Sequence, residues 1–104
     1  MVRCAREGIH VKLVRDRIPD LIKQKGELPV THVATDAEFR HALAEKLLEE
    51  SREFHTNPSA EELADVLEVA YALAAFHGGK DAVEATRAKK ADERGGFSKK
   101  LILH

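Results

Sequence analysis

Two acidic doublets stand out along this chain: Glu50 with Glu53, and Glu62 with Asp65. Each is spaced i, i+3, which puts both members on one face of a helix. Asn57, Pro58 and Ser59 break the chain between them, so the doublets belong to consecutive helices joined by a short turn. Glu53 lies six residues before Ser59 and Glu62 three after it. An antiparallel hairpin therefore brings Glu53 level with Glu62, and Glu50 level with Asp65 one turn deeper, and all four carboxylates are expected to converge.

At 100° per residue, Glu50 falls in the middle of the stripe formed by Phe39, Leu43, Leu47 and Phe54, where a bundle would place a leucine. Glu62 projects beside Val66, Val69 and Leu73, with Asp65 at the edge of that face. Burying an unpaired carboxylate costs roughly several kcal/mol, so these acids must be protonated, paired with bases or bound to a cation. Their mutual repulsion favours a divalent cation. An all-oxygen donor set points to a hard ion, Mg²⁺ or Mn²⁺, and Mg²⁺ held by few protein ligands acts together with substrate phosphates. The competing reading is a set of solvated i, i+4 pairs such as Lys46 with Glu50. It suits a lone ExxE better than two doublets facing across one hairpin with a member inside an apolar stripe.

Phosphate chemistry also needs cations, and their placement is uneven. Residues 1–25 carry seven basic and three acidic groups, residues 43–68 two and eight, and residues 87–104 six and two, although the whole chain nets -1. The basic ends supply Lys12, Arg15, Lys89, Lys90 and Arg94 as phosphate-binding candidates, of which Arg15, Arg94 and Lys12 are favoured. Asp16 is read as orienting Arg15 or capping a helix. A nucleic-acid binder would show a basic excess over the whole domain, so that class is disfavoured. The six histidines have no HxxxH or HxxH spacing, and Walker A, GxGxxG and GxSxG motifs are absent. Cys4 is the only cysteine, which rules out an intrachain disulfide and makes a reducing cytoplasm the expectation.

The elements that must hold these groups are helical. A chain of 104 residues makes one domain, and Ala plus Leu supply 26 of them while aromatics are only 5%. A short helix is expected over 17–25, ended by Gly26, with Pro19 in its first turn, followed by an irregular connection over 26–35. Thr35 with Glu38, and Ser59 with Glu62, have capping-box spacing and open helices over about 36–55 and from Ser59 to His77. Twelve of the fifteen residues from Leu63 to His77 are apolar, so this helix is expected to be central, with Tyr71 and Phe76 in the core. Gly78 and Gly79 precede a third long helix over 80–93, which Gly95 and Gly96 end. Residues 101–103, Leu-Ile-Leu, read as a short extended segment available to pair with Val11 to Val14. Residues 1–11 read as a loose extension without the apolar core of a signal peptide, and no segment is long enough to span a bilayer. One central apolar helix in so small a chain is covered on all sides only with help from another subunit, so a homodimer or homotetramer is expected.

The blocks KLVRDRIP (12–19), EKLLEESREF (45–54), EELADVLEVAYAL (61–73) and ADERGGF (91–97) resemble the MazG-like and phosphoribosyl-ATP pyrophosphohydrolase-like members of the all-α nucleoside triphosphate pyrophosphohydrolase superfamily. The resemblance covers residues 12–104 nearly entire. It implies an oligomeric helical bundle and a Mg²⁺-dependent, house-cleaning hydrolase that cleaves a nucleotide between its α and β phosphates. Carried over to this chain, it makes Glu50, Glu53, Glu62 and Asp65 the metal ligands and Glu49 an acid that orients water or supports a ligand. The eight residues between Glu53 and Glu62 are fewer than that group usually has, implying a trimmed loop over the substrate. The alternative is a non-catalytic helical oligomer that binds nucleotide or a protein partner.

Overall fold

Thr35 and Ser59 start the two helices that matter most, and they do so in the same way. Each lies in extended backbone and its hydroxyl accepts the amide three residues on, Glu38 at 3.2 Å and Glu62 at 3.1 Å. Each thereby satisfies one of the donors that a helix start leaves unpaired. The computed structural model describes residues 12–104 and shows an all-α chain of four helices. These are α1 (Ile18–Gln24), α2 (Asp36–Thr56), α3 (Ala60–Ala74) and α4 (Lys80–Arg94).

Only three residues separate α2 from α3, and the two pack along each other as an antiparallel hairpin. Leu43 on α2 and Val69 and Ala74 on α3 are the buried apolar residues between and behind them. At the end remote from the turn, Phe39 and Phe76 meet edge to face with centroids 5.8 Å apart, and the Arg40 guanidinium lies 4.9 Å from the Phe76 ring. This fixes which faces of α2 and α3 look at each other, and hence where Glu50, Glu62 and Asp65 point. The loose N-terminal extension expected over 1–11 lies outside the described residues.

Helix α3 is shorter than its apolar run. It ends at Ala74, after which the amides of Ala75, Phe76 and His77 bond to carbonyls three residues back rather than four. Gly78 and Gly79 then turn the chain with φ of +93° and +98°, a left-handed region that other residues enter at a cost. Helix α4 leaves from there and packs sparsely on α3 and not on α2; nearly all of its residues are exposed. The described residues contain no strand: Leu101, Ile102 and Leu103 are exposed, and of their expected partners Val11 lies outside the described range. Without a facing strand to bond, an extended tail gains nothing from its apolar residues.

The expected central position of α3 is not reached within one chain. Its outer side is open, and Tyr71, expected in the core, is half exposed, whereas Phe76 is partly covered by Phe39. The radius of gyration is 17.2 Å, against about 13 Å for a compact chain of this length.

Candidate metal centre

Three of the four expected carboxylates come together. Glu50 from α2 and Glu62 and Asp65 from α3 each offer an oxygen, all within 4.8 Å of one another. Oxygen donors gathered this closely would suit a hard divalent cation such as Mg²⁺. Glu53 is the exception: it is exposed and lines an open cleft of ≈ 280 Å³ at the turn end of the hairpin, with Arg52, Thr56, Asn57 and Glu62. One helical turn separates it from Glu50; it stands beside the trio rather than in it, close enough that its charge raises both Glu50 and Glu62.

Glu50 is the only buried charged residue among those described, 8% exposed. Its Oε2 lies 3.5 Å from Lys46 Nζ, and its Oε1 is shut off from solvent with no hydrogen-bond donor among the described residues. Glu62 Oε1 is orphaned in the same way. The Ser59 cap uses the backbone amide of Glu62 and leaves its carboxylate for the cluster. Two buried oxygens without donors, facing a third carboxylate, form an arrangement that native structures rarely leave unfilled.

The local charges tell the same story. Burial pushes the Glu50 carboxyl above its ordinary range, the charges of Glu53 and Asp65 add to that, and Lys46 offsets part of it. Glu62 is raised as well, by desolvation first and then by Glu53, Asp65 and Glu61. Glu49 behaves oppositely. Burial raises it, but Lys46 and Lys12 outweigh that and hold it below its usual value. Glu49 accepts from Lys12 Nζ at 3.4 Å and lies 3.4 Å from Lys46, so it anchors two cations beside the cluster.

Of the five phosphate-binding candidates, the structure brings two to the acids. Lys12 pairs with Glu49, and Arg15 donates to Asp65 Oδ1 at 2.7 Å, so the segment preceding α1 lies across the acidic hairpin. Lys89, Lys90 and Arg94 sit exposed on α4, which does not pack against α2; Lys90 lines a second open cleft with His77, Ala82, Val83, Thr86 and Arg87, and none of the carboxylates borders it. Lys46 is the residue that spacing undervalued. Its i, i+4 relation to Glu50 was legible as a surface pair, yet its side chain is largely buried and among the described residues it is the only cation touching Glu50. The signal was its position four residues before an acid that itself lies in an apolar stripe.

No family model, curated protein or solved structure matches this chain. Its donors fit a hard divalent cation on their own chemistry: oxygen only, two of them orphaned, and close together. No described helix is long and apolar enough to cross a membrane.

Proposed function

We propose that this chain is a Mg²⁺-dependent nucleotide pyrophosphohydrolase of the MazG-like kind, with Mn²⁺ as a substitute ion, acting in the cytoplasm. It hydrolyses the α–β phosphoanhydride of a nucleoside triphosphate or phosphoribosyl nucleotide to a monophosphate and pyrophosphate. The observation that carries the reading is the buried, donor-free oxygen of Glu50 facing Glu62 and Asp65 across the hairpin. Lys46 meets Oε2 at 3.5 Å, but Oε1 is left without a donor among the described residues, an acceptor that a cation would satisfy.

In this reading Glu50, Glu62 and Asp65 would hold the cation, which would supply charge neutralisation on the phosphates and acidify a water. Glu53, exposed at the mouth of the cleft and outside the trio, accepts the proton that the attacking water loses. Glu49 is a poor base because two lysines hold its pKa down, so its work is to place Lys12 and Lys46. Lys12 and Arg15 face incoming phosphates, Arg15 with the planar fork that matches two phosphate oxygens. No covalent nucleophile is needed: water's oxygen bonds to phosphorus, and the bridging oxygen departs on the leaving phosphate.

The test is pyrophosphate release from a panel of nucleotides with Mg²⁺ or Mn²⁺. Turnover that Glu50→Gln abolishes supports the reading. Helical, correctly assembled protein that hydrolyses nothing in the panel refutes it, and nucleotide binding without turnover would favour a non-catalytic binder instead.

A further inference from the structure

A lysine with only 16% of its side chain exposed sits against the buried acid of the cluster. Lys46 Nζ lies 3.5 Å from Glu50 Oε2 and 3.4 Å from Glu49 Oε1, and Glu49 in turn meets Lys12 Nζ through its other oxygen at 3.4 Å. Four side chains thus alternate in sign, Lys12, Glu49, Lys46 and Glu50, and the last of them belongs to the cluster. Lys46, Glu49 and Glu50 all lie on α2, where spacings of three and four residues set the ammonium against both carboxylates. The pair of Arg15 with Asp65 is different: both side chains are more than a third exposed, and the arginine comes from a separate segment. Arg15 is free to leave its carboxylate, whereas Lys46 is enclosed and tied to two acids of its own helix.

The two oxygens of Glu50 are therefore unequal. Oε2 faces an ammonium, while Oε1 is shut off from solvent with no donor among the described residues. A cation entering the cluster finds one available oxygen on Glu50, not two. Denticity is what distinguishes the common hard ions. Ca²⁺ takes about six to eight oxygens and readily binds a carboxylate through both of its atoms, whereas Mg²⁺ demands near-octahedral geometry and keeps several waters. At a flexible cluster of carboxylates the reluctance of Mg²⁺ to shed water gives Ca²⁺ the advantage. A ligand confined to one oxygen takes part of that advantage away, because Ca²⁺ is the ion that uses the second.

We propose that Lys46 is a positioning residue that sets the ion preference of this site: by occupying Glu50 Oε2 it confines Glu50 to ligation through Oε1 and so favours a small six-coordinate ion over Ca²⁺. The inference rests on the reading of Glu50, Glu62 and Asp65 as cation ligands and not on hydrolysis. The charge of Lys46 alone does not produce this effect. It repels both divalent ions nearly equally, so it weakens Mg²⁺ and Ca²⁺ together and leaves their ratio where it was. Only the occupied oxygen moves the ratio.

Calorimetric titration of the full chain with MgCl₂ and with CaCl₂, at one pH and one ionic strength and without nucleotide, reads the ratio of the two dissociation constants. Wild type is expected to bind Mg²⁺ at least as tightly as Ca²⁺. Lys46→Met keeps a long unbranched side chain and removes its donors; it is expected to shift the ratio about tenfold toward Ca²⁺. Lys46→Arg keeps donors for Oε2 and is expected to hold the wild-type ratio. In a Glu50→Gln background the Lys46→Met change is expected to leave the ratio unmoved, because the oxygen it would release is no longer a carboxylate's. Should Lys46→Met fail to fold, the wild-type preference still decides: a preference for Mg²⁺ supports the proposal and one for Ca²⁺ overturns it. A folded Lys46→Met with the wild-type ratio overturns it too, as does an equal shift in the Glu50→Gln background. Uptake of neither ion by wild type overturns it together with the reading of the acids as cation ligands. The expected shift in a protein that hydrolyses no nucleotide supports it and removes the hydrolase reading alone, so the two failures are told apart.

Discussion

The two sides of α3 obey opposite rules. Toward α2 it sets Glu62 and Asp65 among Val66, Val69 and Leu73; toward solvent it places Leu63, Leu67 and Tyr71 in a row. A folding chain does not gain stability from the first choice, since desolvated carboxylates repel one another and cost free energy. Nor does an isolated chain gain from the second. On the proposed reading a cation would offset the cost on the inner side, and substitutions on the two sides of α3 should separate in their effects.

The largest effect belongs to the inner side. Asp65→Asn is expected to lower pyrophosphate release by about a thousandfold, the scale of losing one preorganised contact to developing charge. Helix content and sedimentation mass should hold. A variant that loses mass along with activity would mean that the acids are structural and that the two sides of α3 are not independent. On the outer side, Leu67→Ala is expected to cost about 3 kcal/mol, as much as Leu43→Ala in the hairpin core, although Leu67 is half exposed in one chain and Leu43 is buried. Urea denaturation of both at one protein concentration checks this; a surface residue would cost about 0.5 kcal/mol or less.

Much of this was legible in the sequence, and the reason is locality. Thr35 and Ser59 announce their helices through contacts three residues long, and Gly78 and Gly79 announce a turn through their own φ. The misplacement of Glu50 in an apolar stripe needs only helical periodicity to be seen. What escaped depends on how one helix sits against another. How the two helices sit against each other decides that Glu53 stands beside the cluster while Glu62 and Asp65 offer oxygens within it, and no spacing rule carries that angle. The same holds for Lys46, whose burial comes from its neighbours rather than from its own type. The tail was read as extended from its branched residues, but a strand exists only with a partner, which residues 101–103 do not find among the described residues.

A smaller effect sharpens the inner side without any substrate. With its pKa raised in the fold, Glu50 binds more protons folded than unfolded between its ordinary value and the raised one. Its contribution to stability is therefore full below the ordinary carboxylate value and is lost as pH rises through the raised one; Glu62 acts in the same sense. Glu49, held low by lysines, contributes above its ordinary value and loses that contribution on acidification. Metal-free Glu50→Gln should accordingly be more stable than wild type at neutral pH, by about 1 kcal/mol, the scale of relieving one desolvated polar group. The difference should vanish at acidic pH, where Glu50 is protonated. Mg²⁺ should stabilise wild type and not the variant. A variant less stable than wild type at neutral pH would mean that the Lys46 pair outweighs desolvation.

The smallest effect concerns Arg15, which meets the inner side from the segment before α1. Its guanidinium donates to Asp65 Oδ1 at 2.7 Å while both side chains remain more than a third exposed. An ion pair so exposed is worth about 0.2–1 kcal/mol. That is enough to hold a side chain near a carboxylate and too little to keep out a divalent ion. On the proposed reading Arg15 would be a resident counter-charge that yields Asp65 to the cation and turns to phosphate. Arg15→Gln removes the competitor, so Mg²⁺ should bind about two- to fivefold more tightly in the absence of nucleotide, and nucleotide more weakly in the presence of Mg²⁺. Calorimetry at fixed ionic strength reads both. Weaker Mg²⁺ binding in the variant would mean the reverse, that Arg15 aims Asp65 at the cluster and belongs with Lys46 among the cations that build the site.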